Sequence, residues 1–232
     1  MSVMVTLPTY NEAGNILPLI RDLLALRPDL SIVVIDDDSP DGTHRIVREE
    51  QKLNPRLFLI HRTGERGRGT AGIEGFRFAL EKKADFIVEM DADYSHHPRF
   101  IPQMLDAAEK ADVVVGSRLV RGGGETGRSR IRTIITRAAN FYIRAVLGLK
   151  VRDCTSGYRV FRRRVLEEIN LDTMTAKGPA IVQEILVRCR RKNFRIVEVP
   201  ILFEQRKSGS STFNLKIMIA GLWSVLKFRF RE

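Results

Sequence analysis

The chain is poor in cysteine, poor in aromatic residues and short of acidic charge. Only Cys154 and Cys189 occur in 232 residues. Two cysteines cannot build a disulfide framework or a thiolate zinc site, so both are expected to be inert in a reducing compartment. Aromatic residues make up 7% with a single tryptophan. No hydrophobic run reaches the roughly 20 residues that span a bilayer, and no repeat or low-complexity tract is present. Met1 to Leu7 has neither a basic n-region nor a long apolar stretch, so no signal peptide is expected. The acidic deficit is large, with 28 Asp and Glu against 39 Lys and Arg and a formal net charge of +11. Between Ser117 and Glu168 the imbalance is thirteen basic residues to four acidic ones. Such an excess suits nucleic acid, an anionic membrane surface or a phosphate-bearing substrate. No nucleic-acid-binding motif is visible, and Phe141 and Tyr142 fall on a helical apolar face rather than a stacking platform. Nucleic acid is therefore not the expected partner.

What the chain does have is a run of short apolar strands, each ending in polar residues. Val3-Met4-Val5-Thr6-Leu7 stops at Pro8-Thr9-Tyr10-Asn11-Glu12, and a helical pattern follows through Ile16, Leu19, Ile20, Leu23 and Leu24. Ser31-Ile32-Val33-Val34-Ile35 runs into Asp36-Asp37-Asp38-Ser39-Pro40-Asp41-Gly42-Thr43, then into a helix carrying Ile46 and Val47. Leu57 to Ile60 is a third strand, Gly72 to Leu80 a helix, Asp85 to Met90 a fourth strand, and Val113 to Val115 a fifth that ends at Gly116-Ser117-Arg118. Alternating strands and helices predict an α/β fold with a mostly parallel, Rossmann-like sheet flanked by helices. At 232 residues the chain is one large or two small domains. In a parallel sheet the polar strand ends share one edge, where ligands of open α/β sheets bind.

Asp91-Ala92-Asp93 stands at one of those ends. An isolated Asp-x-Asp is often only a solvated acidic turn. At a strand's carboxyl end, two carboxylates one residue apart can turn toward one oxygen-coordinated cation. Mg²⁺ takes one or two carboxylates plus substrate phosphates, and Mn²⁺ accepts similar ligands. The expectation is a seat for Mg²⁺ or Mn²⁺ and a diphosphate.

Seven blocks occur in an order shared with a known family: Pro8 to Glu12, Asp36 to Thr43, Gly67-Arg68-Gly69-Thr70-Ala71, Asp91 to Asp93, Gly116 to Arg118, Asp153-Cys154-Thr155-Ser156-Gly157-Tyr158-Arg159, and Gln183-Glu184. The chain resembles the family 2 glycosyltransferases, most closely their dolichol-phosphate mannose synthase branch, to which the Ser-Pro-Asp-Gly-Thr form of the second block points. The resemblance implies a GT-A fold, GDP-mannose as donor, a polyprenyl or dolichyl monophosphate as acceptor, and Mg²⁺ or Mn²⁺ as cofactor. It implies that Pro8, Tyr10, Glu12, Ile35 and Asp37 line the nucleoside pocket. Asp91 and Asp93, with Ala92 alongside, would hold metal and diphosphate. Ser95 occupies a position where the family often has Gln, and would be a shorter third ligand. Arg118 and Arg206 would meet donor phosphates, and Arg118, Arg128 and Arg130 the acceptor phosphate. The family's Gly-x-Ser-Lys element reads Gly209-Ser210-Ser211-Thr212 here, without the lysine. A related transferase using UDP-glucose or UDP-N-acetylglucosamine is the alternative. A catalytically silent binding module is disfavoured by the intact Asp91 and Asp93.

Two amphipathic stretches complete the pattern. Ile131 to Leu147 mixes Ile134, Ile135, Phe141 and Tyr142 with Arg132, Arg137 and Arg144. Phe213 to Phe230 carries Trp223 and Phe228 with Lys227, Arg229 and, just beyond, Arg231. Both suit helices lying in a membrane interface, although an ordinary core helix fits the first equally well. The expected organisation is a catalytic domain over residues 1–212 and an amphipathic helix over 213–232. That helix would meet an anionic membrane surface, pack into the core or dock on a separate membrane subunit. The protein is expected to be peripheral, at the cytoplasmic face of a membrane.

Overall fold

A computed structural model describes residues 1–64, 66–204 and 215–230, with side chains from residue 221 onward in the last segment. Six parallel strands and one antiparallel strand form the main sheet. The parallel strands are β1 (Val3–Thr9), β2 (Leu30–Asp36), β3 (Leu57–His61), β4 (Phe86–Glu89), β5 (Val113–Ser117) and β8 (Ile196–Pro200); β7 (Arg159–Arg162) runs against its neighbours. The order is β3-β2-β1-β4-β7-β5-β8. Short strands β6 (Gly124–Thr126) and β9 (Leu202–Glu204) pair in a separate parallel ribbon. The expected parallel sheet is thus present, and within it β7 and β8 are the strands that local patterning did not announce.

Alternation along the strands sends side chains to two cores. Val3, Val5 and Leu7 of β1 and Ile32 and Val34 of β2 face one layer, with α1 (Ile16–Leu26), α2 (Thr43–Leu53) and α4 (Ile101–Ala108). Met4, Val33, Ile35 and Ile87 face the other, beneath α3 (Arg68–Glu81), α6 (Arg163–Glu168) and α7 (Ile181–Arg191). In α1 the buried set Ile16, Leu19, Ile20 and Leu23 follows the helical period. Helix α3 lies so close to the sheet that a Cβ on Gly75 would come within 2.8 Å of the Ile35 side chain.

Helix α5 (Arg130–Leu147) and helix α8 (Leu215–Phe230) lie side by side on this second layer. Ser129 caps α5 by accepting from the Arg132 N–H, and Gly148 closes it in the left-handed conformation, φ 62°. Val225 and Phe228 of α8 are buried in the core. The Tyr142 hydroxyl donates to the Leu222 carbonyl at 3.2 Å, and Arg191 donates to the Phe228 carbonyl at 2.8 Å. The outer face is different: Ile131, Ile134 and Phe141 of α5 and Trp223 and Phe230 of α8 are all exposed. Ile131, Ile134 and Phe141 follow helical spacing and form one stripe. No helix among the described residues is long and apolar enough to cross a membrane.

Candidate active site

The carboxyl ends of β1, β2, β4 and β5 converge, and the polar blocks following them build the site. After β2, Asp36 is consumed locally. It accepts from the Thr9 hydroxyl at 2.8 Å, the Ser39 hydroxyl at 2.6 Å and the Ser39 N–H at 2.9 Å. Those bonds stiffen the turn that carries the next residue. Asp37 is buried; its Oδ2 accepts from the Gly67 N–H at 2.8 Å, and Oδ1 lies 3.2 Å from Arg62 Nη1 without a hydrogen bond. Tyr10 leaves the end of β1 with its ring about half exposed, and the Arg66 guanidinium sits 5.5 Å above it. Tyr10, Asp37 and the Gly67 turn therefore frame one recess. Pro8, next to last in β1, is half-buried, and the Glu12 carboxylate accepts from Asn15 at 2.8 Å, at the start of α1. Ile35 corrects the expectation: its side chain is fully buried and turned under α3, because its place in the strand alternation points it into the core.

After β4, Asp91 and Asp93 have different surroundings. Asp91 is about a third exposed, and its Oδ1 accepts from Arg68 at 2.6 Å. Asp93 is buried and its Oδ1 accepts from both the N–H (3.0 Å) and the hydroxyl (2.5 Å) of Ser95. Tyr94 between them adopts a left-handed φ of 62°, which turns the chain back so that Ser95 can reach Asp93. Ala92 packs into the core. Two carboxylates and a hydroxyl are hard oxygen donors, and that set fits Mg²⁺ or Mn²⁺.

Two supporting residues carry no signal in the sequence reading. Arg68, inside a recognised block but given no role there, is the cation on Asp91. Its pKa is raised, first by the charge of Asp91 and against the cost of burial. His96 is buried beneath the same loop, and its Nδ1 accepts from the Asp91 N–H at 3.1 Å. That bond places the proton of the neutral ring on Nε2. Burial lowers the His96 pKa, against the pull of Asp91 and Asp93. The ring stacks on Tyr158 at 5.0 Å and meets the edge of Phe203 at 5.7 Å. His96 is thus a brace for the Asp91 loop, and its aromatic partners lie 62 and 107 residues away in sequence.

Arg118 lies in a network of carboxylates. Its Nε and Nη2 each donate to Asp153 at 2.7 Å, Nη2 reaches the Thr155 hydroxyl at 2.7 Å, and Nη1 lies 3.4 Å from Glu125. The Asp153 side chain is fully buried, and a buried charge demands such a partner. Burial pushes the Asp153 pKa up, but the Arg118 bonds and charge prevail and hold it below the usual carboxylate range. The Arg118 Nε and Nη2 are therefore engaged by Asp153 and Thr155, while Nη1 lies near Glu125. Arg128 donates to Glu125 at 2.6 Å and to Thr136 at 3.1 Å. Arg130 is exposed at the first turn of α5. Arg206 lies outside the described residues, as does the 209–212 element.

A groove of about 600 Å³ opens from Arg68 and Thr155 and continues between α5, α7 and α8, past Ala139, Ile143, Leu222 and Val225. Its head is polar and its length apolar. Gly67 and Gly69 permit the close seating of the 176–178 loop on its wall, since a Cβ on Gly69 would come within 2.5 Å of the Ala176 carbonyl oxygen.

A strand-end acidic site beneath a mostly parallel sheet of this order defines a GT-A-type α/β protein. The comparisons agree at the level of fold. The chain superposes on glucosyl-3-phosphoglycerate synthase from Mycobacterium tuberculosis, solved with Mn²⁺, UDP and glucosyl-3-phosphoglycerate. The match has a TM-score of 0.68 at 20% identity and covers 98% of this chain and 78% of that one. A mannosyltransferase from Pyrobaculum calidifontis, solved with GDP-Man and Mn²⁺, matches with a TM-score of 0.59 at 20% identity, over 90% of this chain and 58% of that one. Residues 4–170 match the model of glycosyl transferase family 2. The chain is 40% identical over 211 residues to the undecaprenyl-phosphate mannosyltransferase of Micrococcus luteus, covering 91% of this chain and 87% of the relative. It is 39% identical over 210 residues to the polyprenol monophosphomannose synthase of Mycolicibacterium smegmatis, covering 90% and 79%. The chain belongs to glycosyl transferase family 2 and is a glycosyltransferase.

Proposed function

We propose that the protein transfers mannose from GDP-mannose to a polyprenyl monophosphate, with inversion, giving polyprenyl-phosphate mannose and GDP. The observation that carries this reading is the 40% identity to an undecaprenyl-phosphate mannosyltransferase over nine-tenths of the chain. The site supports it independently. In this reading the nucleoside enters the recess of Tyr10, Asp37 and the Gly67 turn, with the exposed Tyr10 ring available for stacking on the base. Asp91, Asp93 and Ser95 hold Mg²⁺ or Mn²⁺, which when bound offsets the charge of the departing diphosphate. Arg68 brings a second positive charge to the same place.

The groove supports a lipid-phosphate acceptor. Its polar head lies at Arg68 and Thr155, and its apolar walls on α5, α7 and α8 suit an isoprenoid tail. A phosphomonoester has a second pKa of about 6 and is largely dianionic at neutral pH. Its oxygen attacks the anomeric carbon as the bond from that carbon to the GDP oxygen breaks, and no side chain has to remove a proton. His96, neutral and buried, is accordingly a brace and not a base. Arg118, held by Asp153, positions the Thr155 edge of the groove, and Arg130, exposed at the first turn of α5, is the cation we assign to the acceptor phosphate. Val225 and Phe228 hold α8 on the core, and Ile131, Ile134, Phe141, Trp223 and Phe230 face outward toward a membrane interface. The protein works there as a peripheral enzyme.

Thermal stabilisation by nucleotide sugars tests the donor. With Mg²⁺ or Mn²⁺ present, GDP-mannose should raise the melting temperature more than UDP-glucose or UDP-N-acetylglucosamine does. The reverse order would move the protein to a UDP-sugar branch of the family.

A further inference from the structure

A second pocket, on the other side of α5 from the groove, has no role in the reaction above. Helix α5 presents Ala139 and Ile143 to the groove and Arg137, Phe141 and Arg144 to this pocket. Its volume is about 430 Å³, and Arg118, Leu119 and Arg152 close it from the loops after β5 and α5. Arg137 and Arg144 stand two helical turns apart on one face, and both line the pocket together with Arg152. Like charges gathered in this way repel unless an anion joins them.

The nearby carboxylates are already engaged. Asp153 is held by Arg118, Glu125 by Arg118 and Arg128, and Glu198 accepts the N–H groups of Arg152 and Asp153 at 2.7 and 3.0 Å. Among the described residues, no carboxylate pairs with Arg137, Arg144 or Arg152. The Arg144 Nε is buried without a hydrogen-bond partner. The pocket therefore offers three unneutralised guanidiniums and one buried, unused donor.

The lip of the pocket identifies the kind of anion. Phe141 lines it, is 72% exposed, and belongs to the stripe of Ile131 and Ile134. A soluble anion would use only the arginines. A phospholipid would use both features, with its phosphate among the guanidiniums and its chains along the stripe. We propose that this pocket binds the phosphate of an anionic phospholipid and so fixes how the enzyme sits on the membrane. The proposal rests on the reading that the outer face of α5 meets a lipid interface. The site is separate from the seat of the acceptor phosphate.

The experiment compares wild type with Arg137→Ala/Arg144→Gln and with Arg121→Ala, which removes a neighbouring exposed charge outside the pocket. Each is titrated with phosphatidylcholine vesicles with and without phosphatidylglycerol, and with inorganic phosphate. Transfer to the acceptor is measured separately in detergent micelles. Wild type should prefer the phosphatidylglycerol vesicles; the double variant should lose about tenfold or more of that affinity and Arg121→Ala far less. Arg144→Lys, which keeps the charge without the guanidinium Nε, should fall between. The acceptor KM in micelles should not move. Equal losses for Arg121→Ala and the double variant would reduce the effect to general surface charge and overturn the proposal. Inorganic phosphate binding as tightly as the vesicles would make the ligand a soluble anion, and a matching rise in acceptor KM would make the pocket part of the acceptor site; either outcome overturns the lipid assignment. Wild type with no affinity for either vesicle would instead remove the interface reading on which the proposal stands.

Discussion

Gly157→Ala isolates the part played by Arg68. A Cβ at Gly157 would lie 2.2 Å from Arg68 Nη2 and 3.2 Å from its Cζ. Uncrowded contact needs about 3.5 Å, so the guanidinium must retreat by more than about 1 Å. Its 2.6 Å bond to Asp91 cannot survive that move. The fold should tolerate the change. Gly157 is not in the left-handed region, and the clashing atoms are the far end of a flexible side chain. The Arg68–Asp91 pair is about a third exposed on both sides, so its loss costs at most about 1 kcal/mol. Lower chain entropy in the unfolded state returns about 0.4–1 kcal/mol. Melting should therefore hardly shift. Catalysis should suffer far more, because removing one preorganised donor from a developing anion costs roughly 10²–10³ in kcat. Steady-state transfer with saturating metal, alongside a melting curve, measures both. Arg68→Ala should reproduce the defect. A Gly157→Ala enzyme with near-normal kcat, or a crippled one whose Arg68→Ala counterpart is fully active, would refute the role given to Arg68.

Other expectations follow from the same geometry. Asp91→Ala and Asp93→Ala should abolish transfer while circular dichroism stays unchanged; near-normal turnover in either, at saturating metal, would remove that residue from the site. Asp37→Ala should weaken donor binding by about 1–3 kcal/mol in calorimetry, the cost of one buried polar contact, and unchanged affinity would take Asp37 out of the recess. Asp153 has a lowered pKa in the folded state, so its contribution is complete above the unfolded value of about 3.9 and is lost as pH falls through the folded one. Acid melting of wild type should thus steepen below about pH 4. Asp153→Asn should already be destabilised at neutral pH, by about 1.5–3 kcal/mol for the lost charged hydrogen bonds of Arg118, and should lack that acid-dependent loss; identical acid profiles would show that the pair is not what titrates. Trp223→Ser and Phe230→Ser should reduce co-sedimentation with anionic vesicles without lowering the melting temperature, since both side chains are exposed. A loss of stability instead would place them in the core.

The strands and the acidic loops were legible because their signals are local. β1, β2 and β5 are apolar runs that stop at polar blocks, and Asp91-Ala92-Asp93 follows directly on β4. What could not be read locally depends on distant partners. β7 begins at a buried Arg159 whose charge is matched by Glu89, 70 residues earlier, and no periodicity marks such a strand. The resemblance gave Arg118 to a phosphate, and nothing near it in sequence shows that Asp153 faces it. Ile35 was placed in the recess by the family resemblance, whereas strand alternation turns its side chain the other way. For the amphipathic stretches, the sequence left core and interface as alternatives. In α8 the core reading holds for Val225 and Phe228, while Trp223 and Phe230 face outward.

The most direct test is the reaction itself. Purified protein, undecaprenyl phosphate in detergent and radiolabelled GDP-mannose are incubated with Mg²⁺ or Mn²⁺, and the label extracted into organic solvent is counted. The proposed reaction should give a mannosylated lipid that forms with GDP-mannose, fails with EDTA, and is absent when undecaprenol replaces its phosphate. Label entering the free alcohol, or a lipid product formed from UDP-glucose in preference to GDP-mannose, would contradict it.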